Sequence, residues 1–140
     1  MLIIDTGPMV ALFDPQDADF NGCHEILKTI QEPLYSTEAI LTEAFHILDP
    51  NSRGAYGLMQ FIREDFVSIV ALSKGDIGRS FELMDQYSDC PMDFADATLI
   101  SIAERMKIKS VFTLDINDFS TYKIKRGHRS YAVDIVSPKL

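Results

Sequence analysis

Leu2-Ile3-Ile4-Asp5-Thr6-Gly7-Pro8 is the stretch whose reading decides the fold. A short, mostly β-branched apolar run stops at an acid, and Thr-Gly-Pro follows at once, which is the composition of a turn or helix start. This predicts a buried strand that feeds a helix, with Asp5 at the strand's carboxyl end. We expect it to be the central strand.

Working outward, Phe20, Cys23, Ile26, Leu27 and Ile30 recur at helical spacing between about Asp17 and Ile30, and Pro33 closes that helix. Leu34-Tyr35 reads as a short strand. Ser36 or Thr37 is placed to cap a helix running to about Leu48, before the breaker Asp49-Pro50-Asn51. Gly54 to Glu64 reads as a helix with Leu58, Phe61 and Ile62 inward, and Phe66 to Val70 as a strand. Lys74 to Tyr87 reads as a helix with Ile77, Phe81 and Met84 on one face, broken by Pro91. A further helix should run from near Asp93 to near Lys107, followed by a strand over Ser110–Leu114 and a final one over Tyr131–Val136. Strands alternating with helices predict one α/β domain over residues 1–140. Its mostly parallel sheet should have about four to five strands flanked by helices. Ligands of such sheets bind beyond the carboxyl ends of the strands, so Asp5 and Asp115 should share one rim.

Composition sets the outer limits. A chain of 140 residues, 46% hydrophobic and 24% charged, is of single-domain size and too apolar to be disordered. No stretch approaches the ~18 apolar residues of a spanning helix, and the start has no recognisable export signal. We therefore expect a cytoplasmic protein with no membrane contact, in which Cys23 and Cys90 stay reduced. Two scattered cysteines make neither a disulfide framework nor a zinc site, and His24, His46 and His128 are too dispersed to make one. The formal charge of −8 argues against a nucleic-acid partner unless the acids are concentrated in one place.

Several acids do fall in unexpected places. On the helix after Pro91, Asp96 is in line with Leu99, Ile100 and Ala103, the stripe that should face the sheet. Asp93 and Asp96 equally resemble a helix start, one capping and the other favouring the dipole. Glu43 follows Ile40 by three and precedes Ile47 by four, which puts it on the inward side of its helix. A lone Glu there more often reaches its head group into water. Combination strengthens the case. Two strand-end acids and two inward helix acids meeting at one sheet edge would repel one another unless cations neutralise them. All-oxygen ligation suits Mg²⁺ or Mn²⁺, one ion or two, and not zinc.

Asp5-Thr6-Gly7-Pro8, Glu43 in Thr42-Glu43-Ala44-Phe45, Asp96 in Asp93-Phe94-Ala95-Asp96-Ala97, and Asp115 with Asp118 in Thr113-Leu114-Asp115-Ile116-Asn117-Asp118-Phe119 occur in an order and spacing that resemble the PIN-domain family, in particular the VapC toxins. The resemblance spans nearly the whole chain, although each motif is short. It implies a parallel sheet flanked by helices and acids that hold Mg²⁺ or Mn²⁺. It also implies hydrolysis of RNA to a 5′-phosphate and a 3′-hydroxyl, by a metal-activated water with no side-chain nucleophile. Carried over by position, Asp5, Glu43 and Asp96 match the metal-holding acids. The fourth is Asp115 or Asp118, with Asp115 the first choice, and Thr6 and Thr113 match supporting hydroxyls. The resemblance further implies a partner antitoxin that puts a basic side chain into the acid pocket, and a homodimer. Met9, Leu12 and Phe13 would suit such contacts if exposed, although core packing is the commoner fate.

RNA would also have to be held. Candidates are Arg53, Lys107, Lys109 and above all the run Lys123-Ile124-Lys125-Arg126-Gly127-His128-Arg129, the one strongly basic segment. That run is equally readable as a solvated loop or hairpin turn before the last strand. Tyr122 and Tyr131 flank it, as base-stacking residues or as core. Two rival enzymes fit poorly: a dehalogenase-type phosphatase would want an acid where Gly7 stands, and a phospho-receiver domain an adjacent acidic pair near the start. The more serious rival is a catalytically silent PIN-like module that binds RNA or protein. The complete acid set speaks against it.

Overall fold

Leu2–Ile4 forms β1, buried along its whole length, in a computed structural model that covers residues 1–140. The chain continues through α1 (Thr6–Ala11), α2 (Phe20–Thr29), β2 (Leu34–Thr37), α3 (Glu38–Ile47), α4 (Arg53–Arg63) and β3 (Ser68–Val70). It then passes through α5 (Lys74–Gln86), α6 (Phe94–Met106), β4 (Ser110–Phe112), α7 (Ile116–Thr121), β5 (Lys123–Arg126), β6 (Arg129–Ala132) and β7 (Asp134–Val136). Five strands make one parallel sheet in the order β3-β2-β1-β4-β7, so β1 is central as expected. The sheet and its flanking helices form a single α/β domain. Its order decides where a ligand goes. From β1 the chain builds outward through β2 and β3, then crosses back to lay β4 on the other side of β1. The switch point therefore lies between the carboxyl ends of β1 and β4.

Register brings the two strand ends together. Ile4 is paired with Phe112, and the next N–H, that of Asp5, donates to the Phe112 carbonyl at 2.9 Å. Gly7 fits this junction closely: a Cβ there would stand 3.2 Å from the Leu114 side chain, which would have to give way by a few tenths of an ångström. The core lies between the sheet and α6, whose residues Ala97 to Ala103 are all buried. Sequence periodicity shows one inward stripe on this helix. The structure buries the whole run, because α6 is covered by α5 as well as by the sheet side of the molecule.

Elsewhere the structure corrects the sequence reading. Tyr131–Val136 is not one strand: Arg129–Ala132 pairs antiparallel with β5, and after Val133 the chain joins the main sheet as β7. Alternating apolar residues cannot say which neighbour each pairs with. On α5 the buried face is Asp76, Ser80 and Leu83, whereas Phe81 is 56% exposed. The helix presents its small and polar side to α6, because Asp76 has a partner there. Ile47 is also exposed, where α3 runs off the core. Met9 and Leu12 are buried in the core and offer no contact surface, whereas Phe13 packs against the core but stays partly exposed. A further helix, α7, forms where no element was expected, because the Asp115 side chain caps it. No helix is long and apolar enough to cross a membrane.

Candidate active site

Asp5 is held at the switch point from two directions. Its Oδ1 accepts from the Thr6 N–H at 2.8 Å, which caps α1, and its Oδ2 accepts from the Thr113 hydroxyl at 2.8 Å. Thr113 Oγ1 also accepts from the Asp115 N–H at 3.0 Å, so one hydroxyl fixes the first acid and the backbone of the fourth. Thr6 reaches the other way and donates to Glu43 Oε1 at 2.7 Å. The two threonines thus link acids that are 37 and 108 residues apart from their partners.

Glu43 and Asp96 arrive on α3 and α6, and these helices are tied at their starts. Thr37 caps α3, and its hydroxyl lies 2.9 Å from that of Thr98 on α6. Asp93 caps α6, as its local sequence predicts, by accepting from the Asp96 N–H at 2.8 Å. Capping leaves the Asp96 carboxylate free for another contact. Its Oδ2 accepts from the Tyr122 hydroxyl at 3.0 Å. Tyr122 is fully buried, edge-on to Phe119 and Tyr87, so it is a core residue and not a base-stacking platform. Sequence reasoning missed this link, because a tyrosine beside a basic run carries no signal of its distant partner.

Asp115 and Asp118 form the outer part of the group. Asp115 is exposed and its Oδ1 accepts from the Asp118 N–H at 3.1 Å, while Cys90 Sγ stands 4.0 Å from Asp118 Oδ1. An open cavity of about 400 Å³, lined by Ala39, Thr42, Glu43, Asp93, Phe94 and Ala95, borders the cluster. A cavity of similar size at Leu27, Ile30, Leu34, Phe61 and Phe66 is almost wholly apolar and lies by the amino ends of β2 and β3, away from these acids.

The electrostatics show what the cluster lacks. Burial pushes the Asp5 carboxyl up to about 6; hydrogen bonds from Thr113 and Thr6 oppose this, and the charges of Glu43 and Asp115 add to it. Asp96 is pushed up to about 8, first by burial and then by the negative charges of Asp5, Asp93 and Asp118, with only the Tyr122 hydrogen bond opposing. Asp118 is raised by burial and by Asp115 and Asp93. The Tyr122 phenol is raised as well, by burial and by Asp96, and so stays a hydrogen-bond donor. No Lys, Arg or His nitrogen forms an ion pair with any of these five acids. Their donor set is all carboxylate oxygen, suited to a hard divalent cation. The carboxylates nevertheless stand apart, as like charges do, and no three of them meet at ligating distance.

The remaining candidates lie elsewhere. Lys123, Lys125, Arg126 and Arg129 are exposed on the β5–β6 hairpin, with His128 in its turn. Arg53 starts α4 and lines a depression of about 260 Å³ with Phe13, Asp14 and Asp49. Lys109 Nζ lies 4.6 Å from the centre of the Tyr131 ring, which occupies one face of that ring. His24 Nε2 is 2.8 Å from the Leu12 carbonyl and has a structural role.

A parallel sheet in this order, with acids at its switch point and supporting hydroxyls between them, defines an acid-centred α/β domain. The chain belongs to the PIN-domain family, whose model matches residues 2–125. It is 22% identical to ribonuclease VapC26 of Mycobacterium tuberculosis over 131 residues, which cover 91% of this chain and 96% of that protein. Its fold is similar to that of M. tuberculosis VapC20, described as a toxin that cleaves the sarcin–ricin loop. That match has a TM-score of 0.79 at 16% identity and covers 90% of this chain and 99% of the other. It is also similar to a chain of a toxin–antitoxin complex from Klebsiella pneumoniae, with a TM-score of 0.66 at 17% identity and coverage of 99% and 98%.

Proposed function

We propose that this chain is an endoribonuclease that hydrolyses RNA phosphodiester bonds with Mg²⁺ or Mn²⁺, and that it is the cytoplasmic toxin of a VapBC-like pair. The observation that carries this reading is the set of acids on one rim: Asp5 and Asp96 are held above the ordinary carboxylate range, and no basic side chain of the chain answers them. A ribonuclease as relative and a toxin–antitoxin complex as structural neighbour support it. Asp5, Glu43, Asp96 and Asp115 would hold the metal, with Asp118 as the alternative fourth acid. When bound, a divalent ion supplies a water of lowered pKa and positive charge for the phosphate oxygens.

The chain's own residues set the geometry. Thr6 and Thr113 each hold one oxygen of a site carboxylate. Tyr122 holds Asp96 Oδ2, and Oδ1 accepts no hydrogen bond from the protein. Asp115, the exposed member of the set, would meet a metal from the solvent side. The family model stops at residue 125, and we assign the rest of the chain to the same domain because β7 completes the sheet beside β4. An antitoxin would offer a basic side chain to this rim, and the functional form would be a homodimer. Exposed Phe66, Phe81 and Tyr56 are available for such contacts.

The test is to incubate purified protein with total cellular RNA, with and without Mn²⁺ or Mg²⁺, beside an Asp96→Asn variant, and to map cut ends by sequencing. Metal-dependent cuts that vanish in the variant are expected. Binding of metal and RNA without cutting would replace this reading with the silent binding module.

A further inference from the structure

The β5–β6 hairpin carries four basic residues and no acid within the seven residues from Lys123 to Arg129, in a chain of net charge −8. None of the four side chains forms an ion pair, although the chain has 21 Asp and Glu residues. Arg126 and Arg129 are directly opposite each other across the turn. Like charges in that position repel, and no carboxylate of the chain pairs with either one.

The hairpin is also built to be rigid. Gly127, at φ 65°, supplies the left-handed residue that a two-residue turn requires. Ile124 is buried at 2% exposure. The outer edge of β5 is closed: the Lys123 N–H donates to the Tyr87 hydroxyl at 2.8 Å, and the Lys125 N–H to Glu104 Oε2 at 2.7 Å. Backbone pairing with another strand is thereby blocked along β5, the strand that carries Lys123, Lys125 and Arg126. The root of the hairpin is Tyr122, whose hydroxyl holds Asp96.

We propose that this hairpin is the substrate grip, a prebuilt basic arm that takes the RNA backbone on one side of the acid rim. The proposal rests on the nuclease reading above. From Lys123 to Arg126 a strand rises ~10 Å, so the arm carries its tip arginines about that far from its root at Tyr122. Two guanidinium groups at the tip suit phosphate oxygens better than scattered carboxylates, because their forked donors match phosphate geometry. Contacts of this kind ignore sequence and set position.

The test is equilibrium binding of a fluorescent 20-nucleotide oligo-uridine in the Asp96→Asn background, between 50 and 200 mM KCl. Adding Arg126→Ala and Arg129→Ala together should weaken binding about tenfold at 0.1 M salt and reduce the log–log salt slope by about 1.4, the contribution of two phosphate contacts on a single strand. Replacing both by Lys should restore most of the slope, and thermal stability should not fall in either variant. An unchanged affinity and slope would overturn the proposal, as would a change in oligomeric state without any effect on RNA binding. Failure is separable from that of the parent reading. Wild-type protein that cuts RNA with an unaltered salt slope in the variant sinks the arm alone, and an altered slope without any cutting sinks the nuclease alone.

Discussion

Asp76 and Asp96 are both carboxylates at helix starts with little access to water, yet they are treated in opposite ways. Asp76 is 5% exposed, caps α5 in a box with Ser73, and receives both Nε and Nη2 of Arg105 at 3.0 and 2.9 Å. Burial pushes its carboxyl up, but the hydrogen bonds and charge of Arg105 and the Ser73 contacts outweigh it and hold it below the ordinary range. Asp96 has a neutral phenol as its partner and further acids around it, and it is pushed up to about 8. One acid is part of the scaffold, already neutralised. The other finds no counter-charge within the chain and holds its proton to about pH 8, as a carboxylate that awaits a cation does.

The difference can be broken at several points. The largest effect should come from Asp96→Asn, which should lower metal-dependent RNA cleavage more than about a hundredfold, beyond the 10–100-fold typical of residues that merely support a ligand. Without metal the same variant should melt at a higher temperature than the parent at pH 8, because a repelled charge has gone. Arg105→Ala should do the reverse to the scaffold. It leaves Asp76 buried without its cation and should cost about 2–3 kcal/mol in chemical denaturation, below the usual cost of breaking a buried pair because Arg105 is half exposed. Mn²⁺ affinity of the folded fraction should be unchanged. Tyr122→Phe keeps the buried ring and removes only the hydroxyl from Asp96. Mn²⁺ affinity by calorimetry should fall about tenfold with little change in Tm. Thr113→Val should have the smallest effect, a few-fold loss of Mn²⁺ affinity that is greatest near pH 6, because Asp5 loses a hydrogen bond that favours its ionised form.

The sequence shows this contrast only in part. Asp5, Glu43, Asp96 and Asp115 are visible because each breaks a local pattern: an acid ends an apolar strand, or interrupts an apolar helix face; Asp118 is marked only by the resemblance to the family. The alternation of strands and helices likewise gives a parallel sheet with β1 at its centre. Partners distant in sequence leave no such mark. Asp76 looks like an ordinary first-turn acid, and its ion pair with Arg105 is 29 residues away. Tyr122 has an apolar body that fits a core and a hydroxyl whose target, Asp96, is 26 residues back. The basic run reads equally as a loop or a hairpin turn, because its burial rests on Ile124 alone and the pairing that makes it a hairpin lies in Ser130 and Tyr131 opposite. Local pattern identifies the acids, whereas tertiary pairing decides which of them are free.

The central claim is that Asp5 and Asp96 are held in wait for a cation, and its most direct test is thermal stability against pH with and without Mn²⁺. A folded-state pKa raised above the unfolded value means that the native state binds more protons, so stability falls as pH rises between the two values. With Asp5 near 6 and Asp96 near 8, the metal-free protein should lose Tm steadily from about pH 4 to 8, most of the loss above pH 6 should disappear in Asp96→Asn, and millimolar Mn²⁺ should restore Tm at pH 8 in the parent only. A metal-free Tm that is flat or rising over that range, or a response to Mn²⁺ that is equal in parent and variant, would contradict the account.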